Sequence, residues 1–115
     1  MKFVTKVYEP MYEHNEKKYI RFTVPQKVSE MIERMHANRI HLLTNTSVSD
    51  PLDGRVLKVK VPFRYRRVMC KVTGRPLQSL IRDDEVEIEV EFKGIWNTGD
   101  YSGFSWILSS CSVVD

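Results

Sequence analysis

Residues 85–92, EVEIEVEF, alternate charged and apolar positions without a break. This places Val86, Ile88, Val90 and Phe92 on one face of a β-strand and four glutamates on the other. The same period of two runs through 55–63, RVLKVKVPF: Leu57, Val59, Val61 and Phe63 share a face, and Lys58 and Lys60 lie opposite. Pro62 removes a ladder donor and marks a bend or an edge. Residues 64–72, RYRRVMCKV, read as a strand that leaves a loop among arginines and enters the core among valines. Residues 3–8 and 18–24 are rich in β-formers and pair as a hairpin across the polar stretch PMYEHNEK.

One segment carries the helical period. After Pro25, Val28, Ile32 and Met35 recur at i, i+4 and i+7 with Met31 beside them, which predicts an amphipathic helix over 26–37 packed on the core. Residues 40–44, IHLLT, predict a short strand and 45–54 a loop. A turn at 73–76 precedes about one helical turn at 77–81. The chain closes on a hairpin through KGIW-NTGDYSG-FSWILSSCSVV.

From residue 40 onward the order is strands at 40–44, 55–61 and 64–72, a small helix, then strands at 85–96 and 104–113. That order predicts a mainly β fold, a five-stranded OB-like Greek-key barrel over 39–115, with Gly94, Gly99 and Gly103 near its sharp bends. Residues 1–38 are then an added hairpin and one covering helix, all within a single domain spanning 1–115. An antiparallel sandwich, or an α+β sheet with one covering helix, fits the same periodicities.

Composition adds exclusions. At 115 residues, 42% hydrophobic and 29% charged, the chain is long enough for a core of its own. No apolar run approaches a membrane span. The first residues, MKFVTKVYEPMYE, read as a strand and not as a signal peptide. Cys70 and Cys111 sit in apolar strand patterns and are expected as free thiols, which places the chain in a cytoplasmic or nuclear compartment. His14, His36 and His41 form no ligand spacing, so neither metal nor cofactor is expected. Asp83-Asp84-Glu85 reads as a turn before a strand, since three consecutive carboxylates cannot converge from one strand. Neither cysteine has a local histidine partner and no glycine-rich phosphate loop occurs, so the expectation is a protein without catalytic residues.

Charge is segregated behind a formal net value of +3. Nine basic residues and no acidic one lie between Arg55 and Arg82, and six acidic residues follow between Asp83 and Glu91. A one-sign surface attracts phosphate backbones. Single-strand binding also needs aromatic faces for bases to stack on. Phe63-Arg64-Tyr65-Arg66-Arg67 interleaves the two, Tyr19-Ile20-Arg21-Phe22 does so more weakly, and Trp96, Tyr101, Phe104 and Trp106 cluster near Lys93. Phe63 and Trp106 share parity with core positions and are read as core. Trp96 fits either the core or a stacking role. The candidate nucleic-acid contacts are Lys58, Lys60, Arg64, Tyr65, Arg66, Arg67, Lys71, Trp96 and Tyr101.

The acidic strand, the Gly94-Ile95-Trp96 that ends it and the Gly103-Phe104-Ser105-Trp106 that opens the next resemble the C-terminal strands of OB-fold single-stranded DNA-binding proteins from large DNA viruses and phages. The resemblance covers roughly the last 30 residues and, more loosely, 55–115. The first 50 residues do not share it, and the acidic tail of many such proteins is missing. It implies sequence-tolerant binding of single-stranded nucleic acid, DNA in particular, during replication or repair. Two further readings use the same surface: a structural or assembly subunit of a viral or multiprotein particle, pairing with a second copy or another protein, and a domain that binds an acidic protein.

Overall fold

The computed structural model describes residues 1–114. Its strands are β1 (Lys2–His14), β2 (Lys17–Thr23), β3 (Ser47–Ser49), β4 (Leu52–Asp53), β5 (Val56–Val61), β6 (Phe63–Arg64), β7 (Arg67–Val68), β8 (Lys71–Thr73), β9 (Glu85–Thr98) and β10 (Tyr101–Val113). One helix, α1 (Gln26–Ala37), lies between β2 and β3. Eight strands form one mixed, mostly antiparallel sheet in the order β3-β10-β9-β1-β2-β5-β4, with β8 also on β10. β6 and β7 pair only with each other.

β1 organises the sheet. Its first residues, Lys2 to Lys6, pair with β9, and from Lys6 onward it pairs with β2. Register shifts between Val7 and Glu9 and between Glu9 and Tyr12 bend it from one partner to the other. Val7, Ile20 and Phe22 are fully buried, joined by Leu57, Val59 and Val61 from β5 and Val86, Ile88 and Val90 from β9. α1 packs on this core through Ile32, Ser29 and His36, flanked by half-buried Val28 and Met35. β10 has β9 on one edge. Its other edge carries three short parallel partners in succession: β3 at Tyr101 to Gly103, one bridge from Lys60 of β5 to Ile107, and β8 at Ser110 to Ser112.

Several expectations need correction. The sheet does not close into a barrel, since a single bridge is the only ladder pairing between β5 and β10. The strands expected at 55–61, 85–96 and 104–113 form as β5, β9 and β10, and those expected at 40–44 and 64–72 do not. Residues Ile40–Leu42 make an exposed 3-10 turn, and the apolar side chains read as a strand there face solvent. Residues 64–72 are not one strand: the chain reverses at Tyr65-Arg66, and β6, β7 and β8 divide the segment. The N-terminal hairpin is no accessory, because β1 and β2 lie in the middle of the sheet. With the barrel goes the resemblance to OB-fold single-stranded DNA-binding proteins, and with it the expectation of a viral replication protein.

The acidic strand has the register its alternation requires, with Val86, Ile88 and Val90 inside and Phe92 half-buried. Its partner for charge is β1: Lys2 stands opposite Glu89 and Lys6 opposite Glu85, and the Lys2 ammonium lies 3.5 Å from Glu87. Lys58 and Lys60 of β5 make no ion pair with the acidic strand among the described residues. No helix among the described residues is long and apolar enough to cross a membrane.

Candidate nucleic-acid interface

Alternation decides which β2 and β5 side chains point away from the core. Ile20, Phe22, Leu57, Val59 and Val61 turn inward, so Tyr19, Arg21, Lys58 and Lys60 share the other face. Cross-strand register sets Tyr19 beside Lys60 and Arg21 beside Lys58. The Lys58 ammonium also lies over the Tyr19 ring, 5.1 Å from its centroid. Tyr12, opposite Tyr19 on β1, puts a second ring 5.9 Å away. Arg21 differs from the lysines because Glu9 pairs with it at 3.3 Å. Lys17, Lys58 and Lys60 have no carboxylate partner among the described residues.

The β9–β10 hairpin supplies the facing wall. Trp96 stands opposite Gly103, and the indole lies against that glycine: a Cβ there would come within 2.5 Å of the ring and 2.7 Å of the Ser49 carbonyl oxygen. Only glycine permits this approach. Loop 42–45 ties the hairpin in place. Asn45 donates from its backbone to the Ser102 hydroxyl at 3.0 Å and from its side chain to the Tyr101 carbonyl at 2.8 Å. The Thr44 N–H donates to the Asn97 side-chain oxygen at 2.9 Å, and the Ser102 hydroxyl donates to the same oxygen.

Between these walls runs a groove of about 1010 Å³. Its basic lining residues are His14, Lys17, Lys58, Lys60 and Lys93, and its aromatic ones are Tyr19, Trp96, Tyr101, Phe104 and Trp106. No aspartate or glutamate lines it among the described residues. Lys93 is the one cation here with an acidic neighbour, Glu91 at 3.2 Å.

A buried histidine supports the groove floor. The His36 ring stacks on Phe104 with centroids 3.9 Å apart and planes 3° from parallel. The Trp106 indole N–H donates to His36 Nε2 at 2.9 Å. Indole only donates, so Nε2 is the unprotonated nitrogen and the ring proton sits on Nδ1. Nδ1 lies 3.1 Å from Asp50 Oδ1, outside good hydrogen-bond geometry. Burial pushes the Asp50 carboxyl up, but His36 and the Leu52 N–H outweigh it and leave the group below its ordinary value.

The nine expected contacts fall in three places. Lys58, Lys60, Trp96 and Tyr101 come together in the groove. Arg64, Tyr65, Arg66 and Arg67 stand on the separate β6–β7 hairpin. Lys71 is exposed on β8, opposite Ser110, and does not line the groove. The sequence reading missed His14, Lys17 and His36 as site residues. Parity along β2 could have placed Lys17 with Tyr19, but a lone histidine near a helix end carries no signal of its own. Trp106, read as core, is 3% exposed and forms both core and groove floor.

Among the described residues, no group of three or more His, Cys, Asp or Glu side chains is placed to hold a metal. Asp84 instead accepts from the Ile81 N–H at 2.9 Å and meets Arg75 at 3.0 Å, contacts that close a turn. Both cysteines are free, and burial pushes the Cys111 thiol up to about 11. No protein-family model matches the chain, and no curated protein or solved structure matches it either.

Proposed function

We propose that the protein is a non-catalytic, sequence-tolerant binder of single-stranded nucleic acid, and that the strand lies in the groove between the β2–β5 face and the β9–β10 hairpin. One observation carries this reading: four lysines, a histidine and five aromatic rings line one groove of about 1010 Å³, with no carboxylate in the lining among the described residues. Unpaired lysines attract phosphates, and ring faces accept any base. Lys58 and Lys60 contact the backbone. Tyr101 at the rim, 58% exposed, and half-buried Trp96 offer the faces for stacking. Free thiols suit an intracellular compartment, cytoplasmic or nuclear.

The test is a tryptophan-fluorescence titration with mixed-sequence single-stranded and duplex oligonucleotides over a range of salt. Single strand should bind more tightly than duplex. Lys58→Ala with Lys60→Ala should weaken binding and flatten the salt slope by about 1.4, at about 0.7 per phosphate contact. Lys71→Ala, outside the groove, should leave the slope unchanged. Equal loss from Lys71→Ala would reduce the groove to one part of a diffuse positive field. No binding at low salt would end the reading.

A further inference from the structure

The β6–β7 hairpin is locally costly. Arg64 and Arg67 are direct cross-strand partners, an arrangement of like charges that destabilises a sheet pair. The two residues joining them, Tyr65 and Arg66, have φ of 56° and 63°. Both lie in the left-handed region that such two-residue turns normally fill with Asn and Gly. No carboxylate pairs with Arg64, Arg66 or Arg67 among the described residues. The Tyr65 ring is 80% exposed. Costly backbone conformations of this kind cluster where a ligand is held.

The hairpin also starts close to the groove along the chain. Lys60 lines the groove, and Arg64 follows four residues later, within about 14 Å of extended chain. The root is fixed on both sides: the Lys18 ammonium lies 5.1 Å from the Phe63 ring centroid, and the Met69 N–H donates to the Pro62 carbonyl at 2.8 Å. Lys18 adjoins Lys17, which lines the groove. We infer that the hairpin is a second phosphate-binding element, which grips the sugar–phosphate backbone of the same strand after it leaves the groove at the Lys17–Lys60 end. The inference rests on the single-strand reading of the groove. It makes the site bipartite: a short strand fills the groove alone, and only a longer one reaches Arg64, Arg66 and Arg67.

Two oligothymidylates, of about 4 and about 16 nucleotides, span the site sizes of single-strand binding folds. The 4-mer should bind the wild type and Arg64→Ala/Arg66→Ala/Arg67→Ala equally. The 16-mer should bind the triple variant at least tenfold more weakly, with a salt slope lower by about 2. Tyr65→Asn with Arg66→Gly supplies a check that misfolding cannot mimic. These residues suit the turn, so the melting temperature should rise while 16-mer affinity falls and 4-mer affinity stays. Equal losses for both lengths, or none for either, would overturn the inference while 4-mer binding keeps the groove reading intact. Failure of the wild type to bind either length would remove both. Polyglutamate binding that the triple variant abolishes, with both oligonucleotides unaffected, would assign the hairpin to an acidic protein instead.

Discussion

The indole N–H of Trp106 donates to Nε2 of His36 across 2.9 Å, joining β10 to α1 70 residues away in sequence. The bond fixes the imidazole tautomer and the rotation of a ring that also stacks on Phe104. The same two aromatics line the groove. His36 is thus a positioning residue for the floor. His36→Leu keeps an apolar filler but orphans a buried indole N–H, a loss of about 1–3 kcal/mol. Urea denaturation should show that loss, and Trp106→Phe should cost less in the His36→Leu background than in the wild type. Additive losses would mean that the pair is not coupled.

Acid should act through Asp50. Its carboxyl is held below the ordinary value in the folded chain by His36 and the Leu52 N–H, against a burial effect of opposite sign. The unfolded chain binds a proton at higher pH than the folded one. The stabilisation is therefore complete above the unfolded pKa of about 3.9 and lost as pH falls through the lower folded value. Asp50→Asn should flatten the melting temperature's decline below about pH 4 and lower the plateau at neutral pH. Asp84, also lowered, keeps part of the acid limb in that variant.

Base should act through Cys111 in the opposite sense. Burial raises this thiol to about 11, so above the unfolded value near 9 the unfolded chain loses a proton that the folded chain keeps. Stability contributed by the neutral thiol should fall between about pH 9 and about 11. Below that window, maleimide should label half-buried Cys70 before buried Cys111. Simultaneous labelling of both in the folded protein would contradict the packing of β10.

The core contact of α1 gives a direct stability test. Ile32 is fully buried between the helix and the sheet. Ile32→Ala removes side-chain methyl and methylene groups and leaves a cavity that the neighbouring strands fill only in part, so unfolding free energy should fall by about 2–5 kcal/mol. Met31→Ala, on an exposed position of the same helix, should change it by less than about 0.5 kcal/mol.

Legibility in the sequence followed how much of an element's pattern is local. The 85–92 alternation was readable because one face is buried, and a slip of one residue would turn Val86, Ile88 and Val90 to solvent. The 26–37 helix was readable from Pro25 and its apolar spacing, and its bounds match α1. β1 alternates poorly because its register shifts twice, at Val7/Glu9 and Glu9/Tyr12, so its central place in the sheet was hidden. The turn at Tyr65-Arg66 was hidden because neither residue signals a reversal. That Lys58 and Lys60 point away from the core was legible because they alternate with buried residues, and Trp96 and Tyr101 stood out because they lie beside or within a glycine-bearing loop. The groove itself was not readable, since period reveals a strand's faces and not its neighbours. Only the sheet order brings Lys17 and Tyr19 of β2, Lys58 and Lys60 of β5, and Trp96 of β9 around one space.

The contact between Trp96 and Gly103 gives the sharpest test of the groove wall. A Cβ at residue 103 would lie 2.5 Å and 2.7 Å from two indole carbons and 2.7 Å from the Ser49 carbonyl oxygen. The indole can swing aside, but Ser49 is backbone, held by the pairing of β3 with β10 at that residue. Gly103→Ala should therefore push β3 away and displace Trp96, at a cost of about 1–3 kcal/mol in stability. The groove consequence is separate. Oligonucleotide affinity should fall by the stacking share of one base, about 1–3 kcal/mol, with the salt slope nearly unchanged, because no lysine has moved. Trp96→Ala at wild-type Gly103 should reproduce that affinity loss without the steric strain on β3. If Trp96→Ala binds as the wild type does, the indole is part of the wall's packing, and Tyr101 alone remains to stack at the rim.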